Sequence, residues 1–174
     1  MIFGLTGEKG SGKTWVCEQL AARLPKKNLF GFYSPAVFED TVKTGIELVL
    51  LPQGRRLPFA RLAYPDCELR IGRWCMRPEA FAEVELHLQQ PNEASLFIAD
   101  ELGPYELEEG KGWVGALGLI DTARFPASIL TFRPGLRSLL QARWPEMKVL
   151  DVSNRAAQAQ ALDALLTAFS GLFQ

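Results

Sequence analysis

Eight residues near the start of the chain limit its fold more than any other feature. Residues 2–6 form a short apolar run that indicates a buried strand, and residues 13–24 carry apolar side chains at helical spacing up to Pro25. The segment between them follows the pattern G-x-x-x-x-G-K-[ST], as Gly7, Glu8, Lys9, Gly10, Ser11, Gly12, Lys13 and Thr14. Such glycines let backbone N–H groups turn inward around an anion, and the helix points the positive end of its dipole at the same place. The pattern predicts a P-loop, which binds nucleotide phosphates.

The polar side chains of this segment have expected roles. Lys13 is expected to reach the β- and γ-phosphates and to act in catalysis, and the Thr14 hydroxyl is expected to bind Mg²⁺. We expect every residue from Gly7 to Thr14, and Trp15 directly after them, to contact the nucleotide. The expected substrate is therefore a nucleoside triphosphate, and the expected cofactor is Mg²⁺.

A pair of acidic residues follows a second predicted strand. The run from Ser95 to Ala99 has the composition of a central parallel strand, and Asp100 and Glu101 come next. The order matches a Walker-B arrangement, in which Asp100 holds Mg²⁺ directly or through water and Glu101 orients or deprotonates the attacking water. Acidic residues also end many strands simply because loops are solvated, so this prediction depends on the P-loop upstream.

Charge on a transferring phosphoryl group requires a further cation, for which arginine is the expected residue. The candidates are Arg70, Arg73 and Arg133, with Arg55, Arg56 and Arg61 as weaker ones. Arg133 follows the apolar run 127–132, and the C-terminal ends of parallel strands face the ligand. We take Arg73 and Arg133 as candidate catalytic residues. Trp74, inside an arginine-rich segment, is the candidate for stacking on the base.

The order of elements predicts an α/β fold with a mainly parallel sheet and right-handed crossovers. Residues from about 28 to 77 contain short β-prone runs and a turn at Gly54 to Arg56, so we expect an antiparallel extension of the sheet or a lid there. Further helices are expected over 78–90, 113–122 and 136–144, and strands over 127–132 and 147–152. The last helix should begin at Ser153 or Asn154 and bury Leu162, Leu165, Leu166, Phe169 and Phe173. We expect one domain over residues 1–174.

Charge and composition exclude several classes of partner. The chain has 174 residues with 19 basic and 20 acidic side chains, so a polybasic surface for nucleic acid or an anionic membrane is not expected. The chain has neither a signal-peptide pattern nor an apolar run near the roughly 20 residues of a membrane span, and we expect a cytoplasmic protein. The three cysteines show no C-x-x-C spacing, so free thiols are expected; the single His87 lacks metal-ligand companions.

Four further segments carry a resemblance to a known family. Residues 31–37 (G-F-Y-S-P-A-V) are similar to a G-F-Y-T-P-E-V segment, and residues 69–74 (L-R-I-G-R-W) resemble a V-G-x-Y stretch. Residues 100–107 (D-E-L-G-P-Y-E-L) are close to D-E-I-G-P-M-E-L, and residues 151–155 resemble V-T-P-E-N-R. With the P-loop, these segments make the chain similar to the THEP1-type nucleoside-triphosphatases. Trp15 and Ala36 stand where that family commonly has threonine and glutamate, and Phe132-Arg133 stands where it often has a histidine.

The resemblance implies a RecA-like three-layer P-loop fold. It also implies slow, Mg²⁺-dependent hydrolysis of ATP, GTP and other nucleoside triphosphates to the diphosphates, with broad base preference. Two alternatives stay open from the sequence. One is a small P-loop kinase that transfers the γ-phosphate to a small acceptor, and the other is a nucleotide-dependent switch or partner-binding module. The acidic pair Asp100-Glu101 favours water as the acceptor.

Overall fold

A computed structural model describes residues 1–172 of the chain. Its strands are β1 Ile2–Thr6, β2 Leu29–Tyr33, β3 Ala36–Glu39, β4 Val42–Leu51, β5 Arg55–Leu62, β6 Leu69–Ile71, β7 Trp74–Met76, β8 Leu96–Ala99, β9 Ala127–Phe132 and β10 Lys148–Asp151. Its α-helices are α1 Lys13–Arg23, α2 Pro78–Leu88, α3 Pro104–Leu107, α4 Val114–Asp121, α5 Arg137–Arg143 and α6 Arg155–Phe169. Short 3-10 turns cover Lys26–Asn28 and Pro134–Leu136.

All ten strands join one sheet in the order β10-β1-β9-β8-β2-β4-β5-β7-β6, with β3 paired to β4. The first five strands of this order are parallel to one another. The remaining pairs are antiparallel. The predicted α/β fold with an antiparallel extension is confirmed, with one refinement: β2 pairs in parallel with β8, so the extension consists of β3 to β7.

Helices cover both faces of the parallel strands and give the predicted three layers. Strand side chains alternate between faces, so Leu96 and Ile98 of β8 pack with α1 and α6, while Phe97 and Ala99 pack with α2, α4 and α5. Gly31 of β2 has φ +103°, and a Cβ there would overlap the carbonyl oxygen of Ile98. Only glycine lets β2 approach β8 this closely.

The boundaries of most elements agree with the sequence, and the predicted position of one turn was wrong. β1, β2 and β9 have the predicted limits, and Asn154 caps α6 by accepting a hydrogen bond from the Ala157 N–H at 3.0 Å. The predicted turn at residues 54–56 lies two residues earlier, over residues 52–54, because Arg55 and Arg56 already pair with β4. Phe173, predicted to line α6, lies outside the described residues. None of the helices in residues 1–172 is both long and apolar enough to cross a membrane.

The expectation of three free thiols was wrong. Cys67, just before β6, forms a disulfide with Cys75 of β7, and only Cys17 among the three is a free thiol, on the buried face of α1. The two bridged residues are brought together by the β6–β7 hairpin, which closes the eight-residue separation between them. A structural disulfide is unusual in a reducing cytosol. The cytoplasmic location stays a prediction.

Candidate active site

The P-loop connects β1 to α1 and wraps around the head of Lys13. The Lys13 ammonium is buried and donates hydrogen bonds to the carbonyl oxygens of Gly7 at 2.6 Å and Glu8 at 3.0 Å. Gly10 and Gly12 have φ values of +81° and +92°, which glycine adopts at little cost. From α6, the Gln158 amide donates to the carbonyl oxygen of Ser11 at 2.7 Å and fixes the loop from outside. The loop therefore has the backbone conformation of a phosphate cradle, with its lysine inside it.

Asp100, directly after β8, is the centre of the site. It is fully buried, and its Oδ2 accepts hydrogen bonds from the Thr14 hydroxyl at 2.8 Å, the Ser34 hydroxyl at 2.7 Å and the Ser34 N–H at 2.9 Å. Its Oδ1 accepts from the Thr131 hydroxyl at 2.6 Å. Hydrogen bonds to a carboxylate are stronger than neutral ones, and four of them offset the cost of burying this side chain. Asp100 thus connects the P-loop to the ends of β2, β8 and β9.

Glu101 lies beside Asp100 in a strained backbone conformation. Its φ of +64° is uncommon for a residue with a Cβ, and its N–H donates to the Thr131 hydroxyl at 2.7 Å, which holds it there. Such strain concentrates at functional sites. The side chain is exposed to solvent, although protein atoms surround much of its carboxyl group. That partial desolvation, followed by repulsion from Asp100, raises the pKa of Glu101.

Cations and anions are balanced around Lys13. Burial is the largest influence on its ammonium and lowers the pKa of Lys13, whereas the carboxylates of Glu101 and Asp100 act in the opposite direction. Arg133, exposed directly after β9, lowers the pKa of Lys13 further and also lowers that of Glu101. The charge of Arg133 therefore acts on both Lys13 and Glu101, two of the predicted catalytic residues.

The other arginine candidates fall into two groups. Arg73, in the turn before β7, is exposed and stacks over the Trp74 ring at 4.8 Å. Arg70 donates to the carbonyl oxygen of Gly72 within the same hairpin. The weaker candidates lie elsewhere: Arg55 pairs with Glu83, Arg56 pairs with Glu47, and Arg61 covers the ring of Tyr64.

The two tryptophans with predicted roles differ in their surroundings. Trp15 is 40 % exposed on α1, next to the P-loop. Trp74 is buried, and the charged groups of Lys9, Lys43 and Arg73 lie 5.6, 5.3 and 4.8 Å from its ring centroid. Three cations thus lie around the ring of Trp74, and stacking of Trp74 on a base stays a prediction.

Four residues of the site received no role from the sequence. Ser34 and Thr131 bind Asp100, Lys43 of β4 faces Glu101, and Glu106 of α3 accepts a hydrogen bond from the Gly103 N–H at 2.9 Å. Glu106 is buried, and this burial raises its pKa although the backbone N–H groups of Gly103, Glu106 and Trp113 oppose the shift. Ser34 and Glu106 occur in the segments that carry the family resemblance. The position of Ser34 directly after a predicted strand could have indicated that it belongs to the site, whereas no sequence signal indicated Lys43.

A glycine-lined anion cradle, a buried lysine, and a hydroxyl bound to a strand-end aspartate at the edge of a parallel sheet define a P-loop NTPase. The family model described as NTPase matches residues 2–111, which include the P-loop, the acidic pair and the β3–β7 extension. The chain belongs to the THEP1-type nucleoside-triphosphatase family, so the predicted family and the predicted class of enzyme are both confirmed. The role of each individual site residue stays a prediction.

Named relatives and solved structures agree with this assignment. The chain is 29 % identical over 168 residues to the nucleoside-triphosphatase THEP1 of Archaeoglobus fulgidus, covering 95 % of this chain and 99 % of that relative. It is 30 % identical over 118 residues to the THEP1 of Metallosphaera sedula, covering 68 % and 64 % of the two chains. The crystal structure of THEP1 from Aquifex aeolicus superposes with a TM-score of 0.73 at 20 % identity, covering 97 % of this chain and 98 % of the other. The solution structure of a human cancer-related nucleoside triphosphatase gives 0.69 at 21 % identity and 97 % coverage of both.

Proposed function

We propose that this protein is a Mg²⁺-dependent nucleoside-triphosphatase that hydrolyses ATP, GTP and other nucleoside triphosphates to the diphosphate and phosphate. One observation carries the proposal: the P-loop hydroxyl of Thr14 and the buried carboxylate of Asp100 are 2.8 Å apart, with the exposed carboxylate of Glu101 next to them. This arrangement supplies a metal site, a phosphate cradle and a base for water at one edge of the sheet.

The residues present fit Mg²⁺. Magnesium prefers oxygen ligands, keeps several waters and is bound in such sites through one or two protein oxygens and the phosphates. The Thr14 hydroxyl is the direct protein ligand in the proposal. Asp100 is fully buried, and its Oδ2 already accepts three hydrogen bonds, so it acts through the Thr14 hydroxyl and through metal-bound water. When bound, Mg²⁺ neutralises charge on the β- and γ-phosphates.

The reaction itself is assigned to this chain's own side chains. The Lys13 ammonium, which holds the carbonyl oxygens of Gly7 and Glu8, turns to the β- and γ-phosphates. Glu101 accepts a proton from a water molecule as the water oxygen bonds to the γ-phosphorus. The bond from that phosphorus to the β,γ-bridging oxygen breaks, and the diphosphate leaves with the electron pair. A raised pKa suits Glu101 to this role, because a base works best when its pKa is near the working pH.

Arg133 and Arg73 complete the proposed site as outer cations. Arg133 acts electrostatically on both Lys13 and Glu101, and Arg73 lies over the Trp74 ring in the turn before β7. Broad base preference and slow turnover are proposed from the family resemblance. The cations around Trp74 support the first of these, because they cover the one buried aromatic ring that was a candidate for stacking on a base.

A phosphate-release screen over ATP, GTP, CTP and UTP tests the proposal, with and without Mg²⁺ and with and without small-molecule phosphate acceptors. We expect phosphate release from each nucleotide with Mg²⁺ alone, and none after chelation. Lys13→Ala should abolish phosphate release. Lys27 lies in the turn before β2, at the end of the parallel strands opposite to the site, so Lys27→Ala should not change phosphate release. Diphosphate formed only in the presence of an acceptor would replace the proposal by the kinase alternative.

Substitutions of the two acidic residues, Asp100 and Glu101, should have different effects. Asp100→Asn should weaken Mg²⁺·ATP binding as well as turnover, because Asp100 organises the metal site. Glu101→Gln should leave binding nearly intact and lower kcat by about 10²–10⁴-fold, the usual contribution of a general base. If Glu101→Gln turns over at the parent rate, the base lies elsewhere.

A further inference from the structure

Lys43 comes from the antiparallel extension and reaches the nucleotide edge of the parallel sheet. It lies on β4, opposite Phe38 of β3, at the hairpin that joins these strands. Its ammonium is 5.3 Å from the centroid of the Trp74 ring, and the ammonium of the P-loop residue Lys9 is 5.6 Å from the same centroid. Strand β4 and the P-loop therefore place a cation each on one buried ring.

Lys43 also faces the predicted base. Burial is the largest influence on the pKa of Lys43 and lowers it, and the strongest opposing influence is the carboxylate of Glu101. The Lys43 ammonium therefore lies near the Trp74 ring, and the charges of the Glu101 and Asp100 carboxylates act on it.

Lys43 is less exposed to solvent than the arginine candidates Arg73 and Arg133. Arg73 and Arg133 are exposed, so water screens much of their charge. Lys43 is half-buried and has lost part of its hydration, which is costly unless an anion faces the ammonium. A fixed, partly desolvated cation stabilises developing charge more strongly than a cation in water.

We propose that Lys43 is a catalytic residue, whose ammonium contacts an oxygen of the γ-phosphoryl group and stabilises the charge on that group in the transition state. The inference rests on the hydrolytic function proposed above. Lys43 donates hydrogen bonds and no proton in this step. The proton of the attacking water still goes to Glu101, and the bridging oxygen still leaves with the diphosphate. Strand β4 thereby supplies within one chain the cation that other P-loop NTPases take from an arginine finger.

The test compares Lys43→Met, Lys43→Arg and the control Lys27→Met. For Lys43→Met we expect kcat to fall by about 10²–10³-fold, the cost of removing one preorganised donor, while KM changes by less than about threefold. Lys43→Arg should recover most of kcat because it restores the cation, and Lys27→Met should behave as the parent. If Lys43→Met does not fold, Lys43→Gln is judged by the same measurements.

A binding measurement separates a catalytic role from a structural one. Parent and Lys43→Met should bind Mg²⁺·ADP equally, because ADP lacks the γ-phosphoryl group. Only the parent should bind Mg²⁺·ADP·aluminium fluoride much more tightly than Mg²⁺·ADP, since the fluoride complex imitates the transferring group. Equal kcat in Lys43→Met and parent would overturn the inference alone, and so would an equal loss of ADP and ADP·aluminium fluoride binding. A parent that releases no phosphate would instead refute the proposed function.

Discussion

Replacing Thr131 by valine removes one hydroxyl from the centre of the site and keeps the shape of the side chain. That hydroxyl donates to Asp100 Oδ1 at 2.6 Å and accepts from the Glu101 N–H at 2.7 Å, and Thr131 is fully buried in β9. A hydrogen bond to a charged group contributes about 1.5–3 kcal/mol. The second bond adds less, because water can reach the backbone of Glu101 once it is lost. We expect Thr131→Val to lower the free energy of unfolding by about 2–4 kcal/mol.

Urea denaturation measures this loss, and thermal unfolding should show it as a decrease of roughly 5–15 °C in Tm for a chain of this size. Turnover should fall by about 10–100-fold as well, because Thr131 holds Glu101 at its positive φ and misplaced catalytic groups lose rate steeply. Thr131→Ser keeps the hydroxyl and loses only a methyl group, so it should retain turnover and cost about 1 kcal/mol. A Thr131→Val variant within about 0.5 kcal/mol of the parent, with parent turnover, would refute the network around Asp100.

Three further perturbations have expected outcomes. Because the pKa of Glu101 is raised and the base must be deprotonated, kcat/KM should fall as pH decreases through a value above the usual ~4.3 of glutamate, and Glu101→Gln should lose this acid limb. Gly31→Ala should destabilise the protein by about 3 kcal/mol or more, measured by urea denaturation, whereas Gly118→Ala, in the open on α4, should add about 0.5–1 kcal/mol. Reducing the Cys67–Cys75 bridge should cost about 2.5 kcal/mol of stability, and a Cys67→Ser variant should not respond to reductant.

The parts of the fold that could be predicted are those coded by neighbouring residues. The P-loop is contiguous, and its glycines specify its backbone locally. The runs that became β1, β2 and β9 are short, apolar and bounded by turn residues, so their limits were correct. The alternation of strands and helices indicated the mainly parallel sheet, and the resemblance to a family added the RecA-like three-layer fold, whereas the order of the strands was not predicted.

The parts that were missed depend on contacts between distant segments. Ser34 and Thr131 meet Asp100 only because β2, β8 and β9 end side by side. The charge of Lys43 acts on Glu101 because β4 turns back against β2, a pairing that its sequence does not indicate. The Cys67–Cys75 bridge needed the register of the β6–β7 hairpin, and without it the spacing resembled that of unrelated thiols.

Hydrolysis of ATP in water enriched in oxygen-18 tests the central claim most directly, namely that the site sends water to the γ-phosphorus. With parent protein and Mg²⁺ under single-turnover conditions, mass spectrometry should find one oxygen-18 atom in the released phosphate and none in the ADP. Glu101→Gln should give the same labelling at a much lower rate. Label in the ADP, or phosphate without label, would contradict the account.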